Sequence, residues 1–474
     1  MSGLFCFQQG DEMSYYGSDS STIAAISTPP GAGGIGIIRM SGARALPVLK
    51  DIFYPVSSGC TFDSHRFYYG TIKSPGDGRL FDEVLVVYMK GPRTYTREDV
   101  VEIHCHGSYL VLQSVLDLVL GFGIDLASPG EFTKRAFLNG RIDLTRAEAV
   151  IDILSARTRK GVDLALEQMS GRLYQRVDQI RQCLVHIRAL FEVAIDFPDE
   201  DIEIVDRPAV LSQLRSEVKS PLEQLIKSAD SGRMIRDGIS VVIVGLPNVG
   251  KSSLLNTILQ EERALVTAIP GTTRDTIEEY VDINGIPVRI VDTAGIRENA
   301  EEVEQLGIKR ARDHINRADL VLFLVDGARE LSDDDRVLFK TVSHKPLITI
   351  VTKCDLEENI ARDADPQIFT DSLSVSALSQ NGITELKDAI FQRVTGGGEQ
   401  WQEEGCAPNL RHKVSLERAF DASLAICSGI ESGLTSDLVT IDILECLDHL
   451  SEIVGETTTE DVLDVIFEQF CLGK

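Results

Sequence analysis

A glycine-rich stretch in the middle of the chain contains residue types that bind phosphate groups. Residues 245–253 read Gly-Leu-Pro-Asn-Val-Gly-Lys-Ser-Ser, after an apolar run at 239–244 and before a helical run. Glycines let the backbone turn so that its N–H groups and the helix N-terminus face phosphates. Lys251 supplies a positive charge and Ser252 a hydroxyl ligand for Mg²⁺. The stretch therefore predicts a nucleotide-binding loop between a strand and a helix.

Two further motifs follow this loop in the order that a nucleotide switch requires. Residues 292–295, Asp-Thr-Ala-Gly, end an apolar run, so that Asp292 can hold the Mg²⁺ shell and Gly295 can offer its N–H to a γ-phosphate. Residues 270–275, Pro-Gly-Thr-Thr-Arg-Asp, lie between the two and provide Thr273 as a second Mg²⁺ ligand. Together they predict a loop that closes on a nucleoside triphosphate.

The base of the nucleotide is predicted by residues 352–355, Thr-Lys-Cys-Asp, after a later apolar run. A carboxylate at Asp355 can accept both the N1–H and the exocyclic amine of guanine, whereas adenine has no matching pair of donors. Ser376 and Ala377 close the base pocket. We therefore expect GTP rather than ATP. Most GTPases have Asn where this chain has Thr352, so we expect an altered bonding pattern with guanine but no loss of specificity.

The predicted nucleotide-binding residues form five groups along the chain. They are Asn248, Val249, Gly250, Lys251, Ser252 and Ser253; Thr267, Ala268, Ile269, Pro270, Gly271, Thr272 and Thr273; Asp292, Thr293, Ala294 and Gly295; Thr352, Lys353 and Asp355; and Ser376 and Ala377.

Length and composition limit the classes of protein to consider. A chain of 474 residues is long enough for about three domains. No apolar run approaches the ~20 residues of a membrane span, the first residues lack a signal peptide's features, and nine scattered cysteines suit reduced thiols. We therefore expect a cytoplasmic protein. The net charge of −26 repels a phosphate backbone, so a basic partner should hold any RNA on which the protein acts.

Changes in hydrophobic pattern predict the domain organisation. Short apolar runs between residues 22 and 104 indicate an α+β domain, and a stripe from Leu173 to Ala194 at spacings of three and four indicates a long helix. Alternating apolar runs and helical intervals around the phosphate loop indicate a mostly parallel sheet covered on both faces. Helical spacing then returns after Gly396, so we expect a nucleotide domain inserted into a helical bundle. The expected parts are an N-terminal extension at 1–21, an α+β domain at 22–140, the helical domain at 141–235 and 397–474, and the GTPase domain at 236–396.

Several motifs together resemble one family, the tRNA modification GTPase MnmE (TrmE) family. They are Thr-Pro-Pro-Gly at 28–31, Pro-Gly-Glu-Phe-Thr-Lys-Arg-Ala-Phe-Leu at 129–138, Ala-Ile-Asp-Phe-Pro-Asp at 194–199, Gly-Thr-Thr-Arg-Asp at 271–275 and Phe-Cys-Leu-Gly-Lys at 470–474. The resemblance implies a homodimer joined through N-terminal domains, each with a Ras-like domain inserted in a helical one. It also implies a flavoprotein partner, MnmG, and an aminomethyl-type group added at C5 of the wobble uridine of certain tRNAs.

The resemblance also implies a tetrahydrofolate site in the N-terminal domain. Arg39 and Glu102 are isolated charges among β residues, and from the residues alone a solvated strand face is favoured over a ligand contact. By similarity to the family, both residues would contact 5-formyl- or methylene-tetrahydrofolate, as would Arg141 and Lys474. The family often has Lys where this chain has Arg141, which keeps the charge but changes its geometry. Cys471 is expected to pack or to line this site.

The hydrolytic mechanism is also implied by the resemblance. Ras-like enzymes orient the attacking water with a Gln where this chain has Ile296, and similarity to the family assigns that task to Glu304. K⁺ would replace an arginine finger, held by Asn248 and by the loop residues Thr267, Ile269 and Thr272, while Ser252 and Thr273 hold Mg²⁺. Hydrolysis would then depend on K⁺-stimulated pairing of two GTPase domains.

Two other classes of function share some of these features. A ribosome-assembly or translation GTPase would contain every nucleotide motif, but it normally adds a basic RNA-binding module. In a folate-dependent aminomethyltransferase, the one-carbon transfer would be the main reaction and the GTPase domain would only regulate it. His104 and His106 lie one residue apart, but no second ligand pair accompanies them, so a metal site is not expected.

Overall fold

The computed structural model describes residues 21–57, 59–197, 205–261, 280–292, 313–357, 359–396 and 406–474. Within these ranges the chain forms two sheets and a set of long helices, which is the multidomain α/β and α+β class expected from the sequence. In the same ranges, no helix combines the length and apolar composition that are needed to cross a membrane.

The first sheet has seven strands, and three helices pack on it. The strands are β1 (Ile23–Ile26), β2 (Ile35–Ser41), β3 (Phe53–Pro55), β4 (Arg66–Lys73), β5 (Leu80–Met89), β6 (Val100–His106) and β7 (Asp125–Leu126), in the order β3-β4-β5-β6-β2-β1-β7. The helices are α1 (Ala45–Ile52), α2 (Tyr109–Leu120) and α3 (Glu131–Leu138).

Side chains alternate between the two faces of this sheet, as the strand repeat of two residues requires. On β1, Ala24 joins the core beneath α1 and α2, whereas Ile23 and Ala25 pack with Phe132 of α3 on the opposite face. The antiparallel pairing of β2 with β6 places Arg39 directly opposite Glu102. The two charges therefore meet because strand register fixes them side by side.

The helical part of the molecule comes from two separated stretches of chain. Its first stretch contains α4 (Leu144–Ser155), α5 (Arg159–Met169), α6 (Arg172–Asp196), α7 (Arg207–Gln213), a π-helical turn (Leu214–Lys219) and α8 (Ser220–Asp237). Its second stretch contains α13 (Leu410–Glu431), α14 (Ser436–Val454) and α15 (Glu460–Phe467). The apolar stripe of α6 packs against α13 and α14 in one buried core, so neither stretch has a complete core alone.

The second sheet has six strands and contains the phosphate loop. Its strands are β8 (Ile239–Gly245), β9 (Tyr280–Ile283), β10 (Ile286–Asp292), β11 (Leu320–Asp326), β12 (Leu347–Thr352) and β13 (Leu373–Val375), in the order β13-β12-β11-β8-β10-β9. Its helices are α9 (Lys251–Glu261), α10 (Asp333–Val342), α11 (Pro366–Phe369) and α12 (Ile383–Thr395), with a 3₁₀ turn at Arg362–Ala364. β11 is buried on both faces, since Leu322 and Phe323 belong to cores on opposite sides.

All strands of this sheet except β9 are parallel, so their carboxyl ends lie along one edge. β8, β10, β11 and β12 end there at Gly245, Asp292, Asp326 and Thr352. Ligands of parallel sheets bind at this edge. The fold therefore brings together sequence motifs that are more than a hundred residues apart.

The chain enters and leaves the second sheet beside α4. Arg236, which precedes β8, lies 3.6 Å from Asp152 of α4, and its guanidinium donates to the carbonyl oxygen of Ala407 on the returning chain at 3.4 Å. Gly232 allows this approach, because a Cβ there would lie 2.3 Å from the Cβ of Ala407. The outgoing and returning chain segments are therefore held against each other.

A buried ionic cluster on α4 fixes the returning segment as well. Glu148 accepts from Asn409 at 2.9 Å and from Arg411 at 2.8 Å, and it lies 2.7 Å from Nε2 of His412. The backbone N–H of Asn409 donates to Nδ1 of His412, so the neutral ring carries its proton on Nε2 and donates to Glu148. Burial lowers the pKa of His412. Burial also opposes ionisation of Glu148, but the charge of Arg411 and the hydrogen bonds from Arg411 and His412 hold the pKa of Glu148 well below its usual range.

A second contact joins the helical part to the β9–β10 hairpin. The Arg157 guanidinium lies 3.6 Å from the ring centroid of Tyr280. Thr158 accepts from the N–H of Gly161 as the cap of α5 and donates to the carbonyl of Gly285 at 3.0 Å. The turn between α4 and α5 thus holds the hairpin while α4 holds the crossing chain segments.

Asp152 gives the first testable prediction. Burial raises the pKa of Asp152 to about 6 from its usual 3.8, even though Arg236 opposes the shift. The unfolded chain therefore loses this proton before the folded one, and the carboxyl group destabilises the fold increasingly as the pH rises from about 4 to about 6. We expect Asp152→Asn to be more stable than the parent by about 1–3 kcal/mol at pH 7, with little difference near pH 4.

Urea unfolding followed by circular dichroism at pH 4, 5, 6, 7 and 8 measures this difference. Asp448→Asn, at an exposed position of α14, is the matched control for removing one negative charge. A stability difference that does not change with pH would show that Asp152 is not buried in its charged form.

Candidate functional site

The phosphate loop adopts backbone conformations that need particular residues. Asn248 and Gly250 have φ angles of 65° and 96°, in the left-handed region that Gly and Asn tolerate best. Gly245 is required for a different reason, because a Cβ there would lie 2.6 Å from the carbonyl oxygen of Leu324. The carbonyl of Gly250 accepts from the N–H of Leu254 at 2.9 Å and so begins α9 directly after the loop.

Lys251 lies inside the curve of this loop. Its side chain is buried, and its Nζ donates to the carbonyls of Gly245 at 3.0 Å and Leu246 at 2.8 Å. A lysine held in this way places its amino group at the N-terminus of α9, where the helix dipole favours an anion. The positions of Lys251 and of Ser252, the next residue on α9, fit a bound phosphate with its Mg²⁺.

Thr352 joins the phosphate loop to the predicted base-binding loop. It is 5 % exposed at the end of β12, and its Oγ1 lies 2.7 Å from the carbonyl oxygen of Val249 and 3.0 Å from that of Val325. The residue that departs from the usual Asn is therefore a donor to the phosphate loop itself.

The residues after Thr352 lie at the surface of the same edge. Lys353 has a φ of 61°, and its Nζ forms an ion pair of 2.6 Å with Asp326 at the end of β11. Asp355 is exposed to solvent. An accessible carboxylate on a turn held by neighbouring contacts is suited to accept the two donors of guanine.

The loop after β13 is tied to α9. Thr257 of α9 lies within hydrogen-bonding distance of two carbonyls, those of Ser253 at 2.9 Å and Ala377 at 3.1 Å. Ser376 is fully buried, and its Oγ accepts from the N–H of Ser379 at 3.2 Å. The predicted residues Ser376 and Ala377 therefore lie beside the helix that begins at the phosphate loop.

Other predicted nucleotide-site residues lie outside the described residues. Asp292 ends β10 at the ligand edge, and only its backbone is described. The remaining members of this group are Thr267, Ala268, Ile269, Pro270, Gly271, Thr272, Thr273, Thr293, Ala294, Gly295 and Glu304. Their roles stay predictions.

A second cluster of predicted residues lies on the N-terminal sheet. The Nε of Arg39 donates to Glu102 at 2.9 Å, and the Nη1 of Arg39 donates to the carbonyl of Gly473 at 3.2 Å. Gly473 fits there because a Cβ would lie 2.4 Å from the carbonyl oxygen of Ile26. The structure thus places Lys474 one residue beyond a direct contact with Arg39.

Aromatic rings complete this cluster. The guanidinium of Arg39 lies 5.6 Å from the ring centroid of Phe132, and that of Arg141 lies 4.7 Å from the ring centroid of Tyr95. Arg141 also donates to the carbonyl of Tyr95 at 3.0 Å. The hydrogen bond from His104 and the charge of Arg39 lower the pKa of Glu102 against the opposing effect of burial, so its carboxylate is ionised at neutral pH.

The C-terminal helix brings Gly473 to this place. Phe467 and Phe470 pack with Leu144 of α4, and Lys134 of α3 forms an ion pair of 2.5 Å with Asp464. A Cβ on Gly130 would lie 2.6 Å from the carbonyl oxygen of Phe467. The segment after α15 is therefore anchored before it reaches Arg39.

Several residues of the two clusters were not predicted from the sequence. Asp326 ends an apolar run that predicted a strand, so its place at the ligand edge had a signal in the sequence. Phe132 belongs to the motif at 129–138, but the motif did not indicate its contact with Arg39. Thr257 and Tyr95 had no signal, because their contacts depend on how separate elements pack. Gly473 belongs to the terminal motif, but its contact with Arg39 spans 434 residues.

Comparisons with known proteins now identify the family. The sequence profile of the MnmE helical domain matches residues 144–471, and that of the GTP-binding protein TrmE N-terminus matches residues 22–141. A tRNA modification GTPase MnmE from Desulfotalea psychrophila is 59 % identical over 463 residues, which cover 96 % of this chain and 99 % of that protein. The chain belongs to the MnmE family. Another MnmE, from Geotalea uraniireducens, is 47 % identical over 454 residues, with the same 96 % and 99 % coverage.

Solved structures outside the MnmE family resemble only part of the chain. Era from Aquifex aeolicus, bound to GDP and AlF₄⁻, is 25 % identical over 39 % of this chain and 66 % of its own, with a TM-score of 0.27. The G domain of the T. maritima FeoB iron transporter is 24 % identical over 33 % of this chain and 98 % of its own, with a TM-score of 0.26. These TM-scores are too low to add to the assignment.

The second testable prediction concerns Lys251. Lys251→Ala removes the charge that the loop holds, so the affinity for GTP should fall by about 10- to 100-fold, the range expected for a lost hydrogen bond to a charged group. Competition with a fluorescent GTP analogue measures this change. Lys345→Ala is the control, since Lys345 also donates to a backbone carbonyl, that of Ala318, but precedes β12 at the opposite end of the strand. Equal losses in both variants would contradict a specific role for Lys251.

Proposed function

We propose that this chain, a tRNA modification GTPase of the MnmE family, uses GTP hydrolysis to modify the wobble uridine of certain tRNAs at C5. The GTPase part of the proposal rests on the hydrogen bond from the Thr352 hydroxyl to the Val249 carbonyl, because this bond joins the phosphate loop to the predicted guanine-binding motif. The near-complete coverage of MnmE relatives supports the tRNA part over a ribosome-assembly or translation switch.

GTP and Mg²⁺ would bind at the carboxyl edge of the second sheet. Lys251 and the loop N–H groups would bind the phosphates, and Ser252 with Thr273 would hold Mg²⁺, which would supply positive charge to the phosphate groups. Asp292 would support the Mg²⁺ shell, and the N–H of Gly295 would bind the γ-phosphate. Asn248 has an exposed side chain that is free to turn toward a cation.

Hydrolysis in this proposal requires K⁺ and two paired GTPase domains. K⁺ would supply positive charge that offsets the charge developing on the phosphates. Asn248 and the carbonyls of Thr267, Ile269 and Thr272 would hold it, and Glu304 would orient the attacking water. The absence of a Gln at position 296 supports this proposal, since Ile296 has no group that can orient water.

The cluster around Arg39 would hold the tetrahydrofolate one-carbon donor. Glu102 is an ionised acceptor for the paired N–H donors of a pterin ring, and Arg141 with Lys474 offers positive charge to the carboxylates of the folate tail. Tyr95 and Phe132 offer ring faces to a flat ligand. Cys471 is exposed near this cluster and would line it.

The net charge of the chain and its family support a second copy of the chain, a flavoprotein and tRNA as its partners. Homodimerisation through the N-terminal domains and a flavoprotein partner of the MnmG type would form the active assembly. A net charge of −26 on this chain supports a division in which the partner holds most of the tRNA. The proposed domain boundaries are those predicted from the sequence, with the GTPase domain at 236–396 inserted in the helical domain.

The third testable prediction concerns the monovalent cation. GTP turnover should be on the order of 10-fold or more faster in KCl than in NaCl at equal ionic strength, because K⁺ stabilises charge that develops in the transition state. Glu304→Ala should bind GTP normally but lose turnover in both salts. Single-turnover phosphate release measures both effects. Equal GTP turnover rates in the two salts would contradict the proposed roles of Asn248 and Glu304.

The fourth testable prediction concerns the folate cluster. Arg39→Ala leaves Glu102 without its cation and Gly473 without its donor, so binding of 5-formyl-tetrahydrofolate should weaken by about 10-fold or more. GTP hydrolysis should not change, while wobble-uridine modification in the presence of the flavoprotein should fall. Equilibrium dialysis and mass spectrometry of tRNA nucleosides measure these results.

Arg66→Ala is the matched control for Arg39→Ala, because Arg66 lies on the same sheet with a side chain that is 70 % exposed. Unchanged folate binding by Arg39→Ala would contradict the proposed folate site at this cluster. Full tRNA modification by a variant that cannot hydrolyse GTP would instead favour a transferase in which the GTPase domain is only regulatory.

A further inference from the structure

Thr352 uses its only side-chain hydrogen-bond donor within the protein. A hydroxyl group has one proton, and the two acceptors within hydrogen-bonding distance of the Oγ1 of Thr352 are the carbonyl oxygens of Val249 at 2.7 Å and Val325 at 3.0 Å. A carbonyl oxygen can only accept, so the proton must point to one of the two. The side chain is also buried, which leaves no second polar atom to face a bound base.

The Asn that usually occupies this position in GTPases has more side-chain hydrogen-bond donors than Thr. An Asn carboxamide has two N–H donors, so one could bind the Val249 carbonyl while the other stays available for the base. Guanine presents the acceptors N7 and O6 on one edge, next to the N1–H and amine that Asp355 can accept. With Thr at position 352, the side chain of this residue offers no such donor to the acceptor edge.

The Thr352 side chain lies close to the phosphate loop. A Cβ built on Gly250 would lie 3.9 Å from the Cβ of Thr352, and the Oγ1 of Thr352 lies 2.7 Å from the carbonyl oxygen of Val249. Thr352 can therefore hold the loop through Val249.

We propose that Thr352 makes this protein bind guanine without a side-chain hydrogen bond from this position to N7 or O6. This inference rests on the proposed GTPase function and deepens it. Recognition of the base then depends on the carboxylate of Asp355 and on the loop of Ser376 and Ala377. Thr352 acts as a positioning residue, since it orders the phosphate loop through Val249 and does not touch the base.

The experiment compares GTP with 7-deaza-GTP, in which carbon replaces N7, and with ATP. Competition against a fluorescent GTP analogue gives the three affinities for the parent protein, Thr352→Asn and Thr352→Val. The parent should bind GTP and 7-deaza-GTP with affinities within about two-fold, because it makes no side-chain hydrogen bond to N7. Thr352→Asn should bind GTP about 10-fold more tightly than the parent but should gain nothing for 7-deaza-GTP.

Thr352→Val keeps the shape of the side chain and removes the hydroxyl. Because it releases the Val249 carbonyl, it should weaken GTP and 7-deaza-GTP by the same factor, which separates ordering of the loop from contact with the base. A loss of about 10-fold or more when the parent is given 7-deaza-GTP would overturn the proposal. Equal affinity of the parent for GTP and ATP would instead overturn the guanine assignment itself, so the two failures are distinguishable.

Discussion

The helical core depends on packing between two stretches of chain that lie on either side of the phosphate-loop sheet. Leu184 and Ile187 of α6 are fully buried against residues of α13 and α14, such as Leu416 and Ile443. Truncating a buried side chain of this size typically lowers the free energy of unfolding by ~2–5 kcal/mol. Separating the two stretches would therefore be strongly unfavourable. The phosphate-loop sheet is therefore attached at both ends to one packed helical core.

This attachment makes α4 a junction between the two proposed sites. Its first turn packs against Phe467 beneath the Arg39 cluster, its middle holds the crossing chain segments through Glu148 and Asp152, and the turn after it contacts Tyr280 of the β9–β10 hairpin. A short, rigid element that touches both regions can transmit small displacements, because close-packed interiors deform little. A displacement at the phosphate-loop sheet would therefore reach the cluster around Arg39 through this helix.

Local signals in the sequence predicted much of the fold. The stripe from Leu173 to Ala194 lies on the long helix α6, and the apolar run at 239–244 lies within β8. The strands β4 and β9 were not predicted. β9 is only four residues long and follows a charged segment, while β4 mixes aromatic residues with Arg and Lys. The π-helical turn at Leu214–Lys219 was also missed, since packing rather than local propensity decides a one-residue change in helix repeat.

The candidate sites were predictable in their residue types but not in their contacts. The spacing of the motifs predicted Lys251, Thr352 and Asp355, because phosphate and guanine demand particular donors and acceptors. The role of Thr352 in holding Val249 required three-dimensional information, since 103 residues separate the two. From the residues alone, Arg39 and Glu102 are typical of charges on a solvated strand face. Their pairing depends on the register of β2 and β6, which a sequence does not give directly.

The contact between Arg39 and Gly473 has a consequence for the time that the protein needs to mature. These residues are 434 positions apart, and ribosomes add about 5–20 residues per second, so roughly 20–90 s separate the synthesis of the two partners. During that interval the N-terminal sheet exists without the segment that completes its charged cluster. A nascent chain therefore contains the whole N-terminal sheet long before the residue that completes the cluster around Arg39 is made.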